Sequence, residues 1–146
     1  MAKMVDIAAK EDVPRRAMAV GDLVLRRETV RAIRAGEVPK GDPVHTAEVA
    51  ALQAVKRTSE ALPHCHPVPI TGASAVLALG ADRVTATCEV AATYKTGVEM
   101  EALYGCAVAL LTVWDMVKSL EKDDEGQYPT ARIENLRVAA KEKGHA

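Results

Sequence analysis

The chain has 146 residues, 49% of them apolar and 27% charged, enough apolar material for one domain with its own core and too much for a disordered chain. Nineteen Lys and Arg against 20 Asp and Glu leave a formal net charge of −1, and there is no Phe, one Trp and three Tyr, which argues against a DNA-coating protein and against a base-stacking platform. Cys65, Cys88 and Cys106 are widely spaced and read as reduced thiols of a cytoplasmic protein, the charged residues 1–10 show no secretory signal, and the longest apolar stretch, residues 106–114, falls short of the ~20 residues of a membrane helix.

Residues 1–16 are polar, contain Pro14, and read as an extended arm. Residues 17–25 alternate loosely around Gly21-Asp22, which predicts a short hairpin or edge strand. A short helix is expected over 28–35, with Glu28 in its first turn, Arg34 in its last and Gly36 as its stop. Asp42 is a good N-cap and Pro43 a good first helical residue, so a second helix is predicted from there to Leu62, before Pro63. Val44, Ala47, Ala51, Ala54, Val55 and Thr58 form its narrow stripe of small residues.

Residues 74–79 and 83–91 read as two strands joined at Gly80-Ala81-Asp82, the second with Val84, Ala86, Cys88 and Val90 on one side. A long helix is predicted over 96–120, burying Leu103, Ala107, Leu110, Leu111, Trp114 and Val117. A last strand is expected over 130–140, where a change of phase suggests a bulge near Asn135. The whole reads as a single α+β domain over 17–141, an antiparallel sheet with helices packed on one face, followed by a charged tail, 142–146.

Four places carry reactive side chains. His64-Cys65-His66-Pro67 offers either an imidazole for acid–base work, surface histidines, or a weak metal pair completed by His45 or a carboxylate. Thr96 and Glu99 are spaced as a capping box, Glu101 would favour the helix N-terminus, and the same terminus would present carboxylates to a heterocycle edge. Asp115 and Lys118 lie one turn apart and can pair. Lys40, between Pro39 and Gly41, is a solvated loop lysine or a phosphate or proton-transfer lysine. Glu101 and Asp115 are fourteen residues apart, roughly 21 Å along a helix. One small ligand reaches both only if a second subunit completes the site.

Taken in order, Met4-Val5-Asp6-Ile7, Pro39-Lys40-Gly41-Asp42, Lys56-Arg57-Thr58-Ser59-Glu60, Cys65-His66-Pro67, the string from Lys95 through Thr96-Gly97-Val98-Glu99-Met100-Glu101 to Leu103, and Asp115-Met116-Val117-Lys118 resemble the cyclic pyranopterin monophosphate synthases, the MoaC family of molybdenum cofactor biosynthesis. The resemblance runs from about Val5 to Lys141. It implies a ferredoxin-like fold, a hexamer built as a trimer of dimers, and active sites at the dimer interface. It further implies a lyase that converts 3',8-cyclo-7,8-dihydroguanosine 5'-triphosphate to cyclic pyranopterin monophosphate and pyrophosphate. No cofactor is certain, although magnesium could accompany the triphosphate, and neither nucleic acid nor membrane is a partner. By resemblance Asp115, Lys118 and Lys40 are catalytic, His64, Cys65, His66, Thr96, Glu99, Met100 and Glu101 line the substrate pocket, and Asp6, Lys10, Arg15 and Lys141 surround it.

The sequence departs from the family pattern at His64, usually apolar, at Trp114, usually Tyr, in a longer loop over 121–128, and in a tail that lacks the Gly-Gly-Lys-Ser-Gly type ending. A nucleotide or pterin sensor that lost turnover is the competing class. Both Lys40 and Lys118 are present, which favours the enzyme.

Overall fold

Strand β1 (Val13–Val24) runs unbroken through the Gly21-Asp22 pair expected to turn, and starts four residues before the expected Ala17. Pro14 sits at its open end, opposite Thr93. The computed structural model describes residues 1–144. In it β1 is flanked on one side by β3 and on the other by β4. Ala17, Ala19 and Leu23 point inward. Gly21 follows the same alternation because a Cβ there would lie 3.0 Å from Leu110 Cδ1 and 3.1 Å from Leu136 Cδ1. It permits close approach, and needs no turn.

Helix α1 (Arg27–Ala35) ends as expected on Gly36, whose φ of 71° is left-handed. Helix α2 (Pro43–Lys56) is capped by the Asp42 carboxylate, which accepts from the Val44 and His45 amides at 3.0 and 3.1 Å. It stops short of the expected Leu62. Thr58 is buried, and its hydroxyl donates to the Ala54 and Val55 carbonyls. That back-bonding competes with the helical ladder at Arg57, so the last turn is a separate α3 (Thr58–Ala61).

β2 (Ile70–Leu79) and β3 (Arg83–Tyr94) form the expected hairpin, each longer than predicted. β4 (Arg132–Lys143) carries the predicted irregularity: Asn135 has φ 57° and the register slips opposite Gly21. β4 also takes in Lys141, Glu142 and Lys143, read as domain end and tail, because they pair with Ala17, Arg16 and Arg15. The remainder of that tail, His145 and Ala146, lies outside the described residues. The sheet order is β2-β3-β1-β4, all antiparallel, the ferredoxin-like α+β arrangement.

Helix α4 (Glu99–Glu121) lies across β1 and β3 and against α2. It is long and apolar enough to cross a membrane by length and composition, but Ala102, Cys106, Ala109, Leu110, Val113 and Val117 are sunk in the core. The expected buried stripe is rotated: Leu111 is 53% exposed, while Gly105 and Ala109 face inward. Close contact explains this, since a Cβ on Gly105 would sit 2.7 Å from Val55 Cγ2, 2.9 Å from Cys88 Sγ and 3.3 Å from the Ala51 carbonyl. Gly105→Ala is therefore expected to destabilise the fold by about 1–3 kcal/mol through overpacking, read as a lower urea midpoint at unchanged slope. The C-terminal end of α4 is anchored by Glu121, whose buried Oε2 accepts from the Arg26 amide at 3.0 Å and from the Thr29 hydroxyl.

Candidate active site

The loop between α1 and α2 aims Lys40 at the C-terminal half of α4. Its Nζ donates to the Asp115 carbonyl at 3.3 Å and lies 3.6 Å from Oδ2 of the same residue. Lys118 Nζ lies 3.0 Å from Asp115 Oδ1, the pairing expected one turn apart. The hydrogen bond and charge of Lys118, then the charge of Lys40, hold the Asp115 carboxyl below its usual range, and Asp115 in turn raises Lys118. Lys118 is therefore an ammonium at neutral pH, a proton donor and counter-charge rather than a free base. All three side chains are well exposed. Such pairs add well under ~1 kcal/mol to stability.

A second group gathers at the other end of α4. The expected Thr96–Glu99 capping box does not form: the N-cap is Val98, without a side-chain cap. Glu99 instead lies 3.2 Å from Lys141 Nζ on β4. Glu101, in the first turn as expected for the helix dipole, is buried at 3% exposure. The Cys65 thiol donates to its Oε2 at 3.8 Å. Burial raises the Glu101 carboxyl above its usual range, and burial followed by the Glu101 charge raises Cys65. Cys65 is thus a thiol, not an activated thiolate. Cys88 and Cys106 are deeper still and pushed up by burial to about 11 and about 12.

His66 donates from Nε2 to the Val5 carbonyl at 2.6 Å. Arg15 donates to the Lys95 carbonyl at 3.3 Å and lines a cavity of about 360 Å3 with Glu142 and Gly144. Asp6 accepts from the Ala8 amide at 2.9 Å, and the Lys10 carbonyl accepts from Lys95 Nζ at 2.8 Å. Thr96 is half-buried, Met100 and His64 are exposed. Among the described residues no three His, Cys, Asp or Glu side chains converge as a metal-ligand set. The structure thus sorts the expected residues into two groups, one at each end of α4, and does not merge them within one chain. The sequence reading missed Lys95, which sits inside the Lys95–Leu103 string but whose contacts are with residues some 85 positions away.

Glu101 sets a pH-dependent prediction. Its folded pKa lies above the unfolded value, so the folded state binds the extra proton, and stability falls as pH rises from the ordinary glutamate range through the folded pKa. Glu101→Gln removes that loss. It is expected to raise the melting temperature at neutral pH, with the gain vanishing below about pH 4, under the ordinary glutamate value; a gain that grows on acidification would contradict the burial argument.

A family model described as the MoaC family matches residues 4–144. A protein of Thermococcus onnurineus named probable cyclic pyranopterin monophosphate synthase is 53% identical over 141 residues, 97% of this chain and 90% of the relative. One of Methanosarcina acetivorans with the same name is 56% identical over 143 residues, 98% of this chain and 90% of the relative. A third, from Methanothermobacter thermautotrophicus, is 52% identical over 141 residues, 97% of this chain and 89% of the relative, and is named a probable accessory protein of that synthase.

Proposed function

The chain belongs to the MoaC family, and on that footing we propose that it is a cyclic pyranopterin monophosphate synthase, a lyase acting in molybdenum cofactor biosynthesis. Its substrate is the cyclised dihydro-GTP intermediate, 3',8-cyclo-7,8-dihydroguanosine 5'-triphosphate. The observation that carries the reading is the Lys40–Asp115–Lys118 set, two cations held on one carboxylate at an exposed helix face.

The product keeps one phosphate of three, so a hydroxyl of the sugar-derived ring attacks the α-phosphorus, the α–β P–O bond breaks, pyrophosphate leaves, and the hydroxyl proton passes to a phosphate oxygen or to water. Negative charge accumulates on the phosphate oxygens as it does so. The Lys118 and Lys40 ammonium groups neutralise that charge, and Lys118, raised by Asp115, has a proton to give to a leaving or ring atom. Asp115 positions both lysines. At the other end of α4, the Glu99 and Glu101 carboxyls take the N–H donors of the purine-derived ring, beside Cys65, His66, Thr96 and Met100, with Arg15 and Lys141 supplying positive charge and Asp6 and Lys10 on the arm nearby. His64 adds a second imidazole at the rim. A magnesium ion travelling with the triphosphate would be bound mainly by phosphate oxygens and water.

The two groups form one site when two copies meet. Met100, Tyr104, Ala107, Leu111, Asp115 and Lys118 fall on one face of α4, at spacings of four and three. Met100 and Leu111 are 43% and 53% exposed there. An antiparallel pairing of two such faces about residues 107–108 sets the acidic start of one helix against the basic end of the other. That is the dimer we propose, three of which form the hexamer. Three unpaired cysteines suit a reducing cytoplasm.

The purified protein, given the cyclised triphosphate, is expected to yield the pterin and pyrophosphate. A folded sample that binds the substrate without turnover would overturn catalysis and leave the accessory role that one relative's name describes.

A further inference from the structure

Residues ahead of β1 belong to no strand or helix, yet both ends of the segment 5–12 are tied down. At one end the Val5 carbonyl meets His66 Nε2 at 2.6 Å. Between them a turn closes through the Lys10 amide on the Ile7 carbonyl at 3.0 Å and the Ala8 amide on the Asp6 carboxylate at 2.9 Å. At the other end Lys95, just past β3, donates from Nζ to the Lys10 carbonyl at 2.8 Å and lies 3.7 Å from the Asp12 carboxylate. The Lys95 carbonyl also accepts from Arg15, so the clasp is fixed to β1 as well.

We propose that Lys95 is a positioning residue: it clasps the segment 5–12 as a strap whose Val5 carbonyl selects the His66 tautomer with the proton on Nε2. A carbonyl oxygen only accepts, so the bond requires a hydrogen on Nε2. In the neutral ring Nδ1 then carries the lone pair, and His66 offers the site an acceptor of fixed orientation. Without the clasp the strap loses a charge-assisted hydrogen bond and the ring is free to exchange tautomers. The proposal rests on the reading of His66 as a substrate-site residue, and its direct readout does not need turnover.

The experiment is a nitrogen-15 spectrum of the His66 ring in the full-length protein at a pH where the ring is neutral. The intact protein is expected to show Nε2 protonated and Nδ1 bare. Lys95→Ala is expected to give a mixture of tautomers, and Lys95→Arg, which retains a donor, to restore the single form. A chain beginning at Ala8 removes the Val5 acceptor while sparing every strand, and is expected to behave as Lys95→Ala even if that variant folds poorly. In turnover, Lys95→Ala is expected to raise KM about tenfold with kcat within about twofold, the signature of lost binding rather than lost chemistry. An Nδ1-protonated ring in the intact protein, or an Nε2-protonated ring that survives both changes, overturns the proposal. An inactive protein with the expected spectrum would instead sink the assigned activity and leave the strap standing.

Discussion

Lys118→Ala is expected to lower kcat by about a thousandfold or more, with the melting temperature nearly unchanged. The two halves of that expectation have one origin. Lys118 is 3.0 Å from Asp115 and its side chain is 41% exposed, so the ion pair it loses is of the kind worth well under ~1 kcal/mol in folding. The same ammonium faces phosphate oxygens on which charge builds up as pyrophosphate leaves, where a positioned cation binds the transition state more strongly than the ground state. Asp115→Ala is expected to match it, because both Lys40 and Lys118 then lose the acceptor that aims them. Pyrophosphate release beside a thermal melt makes the test, and a wild-type rate from a folded variant removes that residue from the mechanism. The pH profile adds a check of sign. Asp115 is depressed, so its charge is lost only as pH falls through a value below the ordinary aspartate range. Lys118 is raised, so its proton is lost only as pH rises beyond the ordinary lysine range. The Asp115–Lys118 pair therefore stays charged across the neutral range, and a limb seen near pH 7 comes from neither of these two groups.

The elements legible in the sequence are those whose signals are local. Gly36 beyond α1, Asp42 and Pro43 before α2, and the β2–β3 hairpin each draw on neighbours a few positions away. β1 differs from the short element its local pattern suggests because a central strand is defined by partners some sixty to a hundred and thirty residues later. Its Gly21 answers to Leu110, not to a turn. The candidate site divides the same way. The Asp115–Lys118 pair follows from helical spacing. Glu99 was legible as a cap and also as a ligand group, and the structure decides against the cap because Lys141, forty-two positions on, offers a full charge where the backbone amide offers a dipole. The burial of Glu101 and the contacts of Lys95 depend on β2, β3 and the arm meeting at one end of α4, which no local pattern carries.

The separation of the two groups leads to the last expected result. Take Lys118→Ala, expected to be inactive as above, and Glu101→Ala, expected to be inactive because it loses a carboxyl that holds the ring, and mix them in equal amounts under conditions where subunits exchange. If each site takes Lys118 from one chain and Glu101 from another, half of the random dimers are mixed, and each mixed dimer has one intact site and one that lacks both groups. Activity should return to about a quarter of the wild-type value, as the symmetry of a two-fold dimer with shared sites requires. No recovery is possible if a single chain supplies both groups, since each chain lacks one. The roughly 21 Å rise of fourteen helical residues between Glu101 and Asp115 is what forces the choice: a dihydro-GTP ring end and its phosphates cannot touch both ends of one α4 from the same side of the helix. Exchange itself is followed by tagging one variant and capturing the other with it. A mixture that exchanges and stays inactive would confine the site to one chain and would remove the antiparallel α4 pairing along with it.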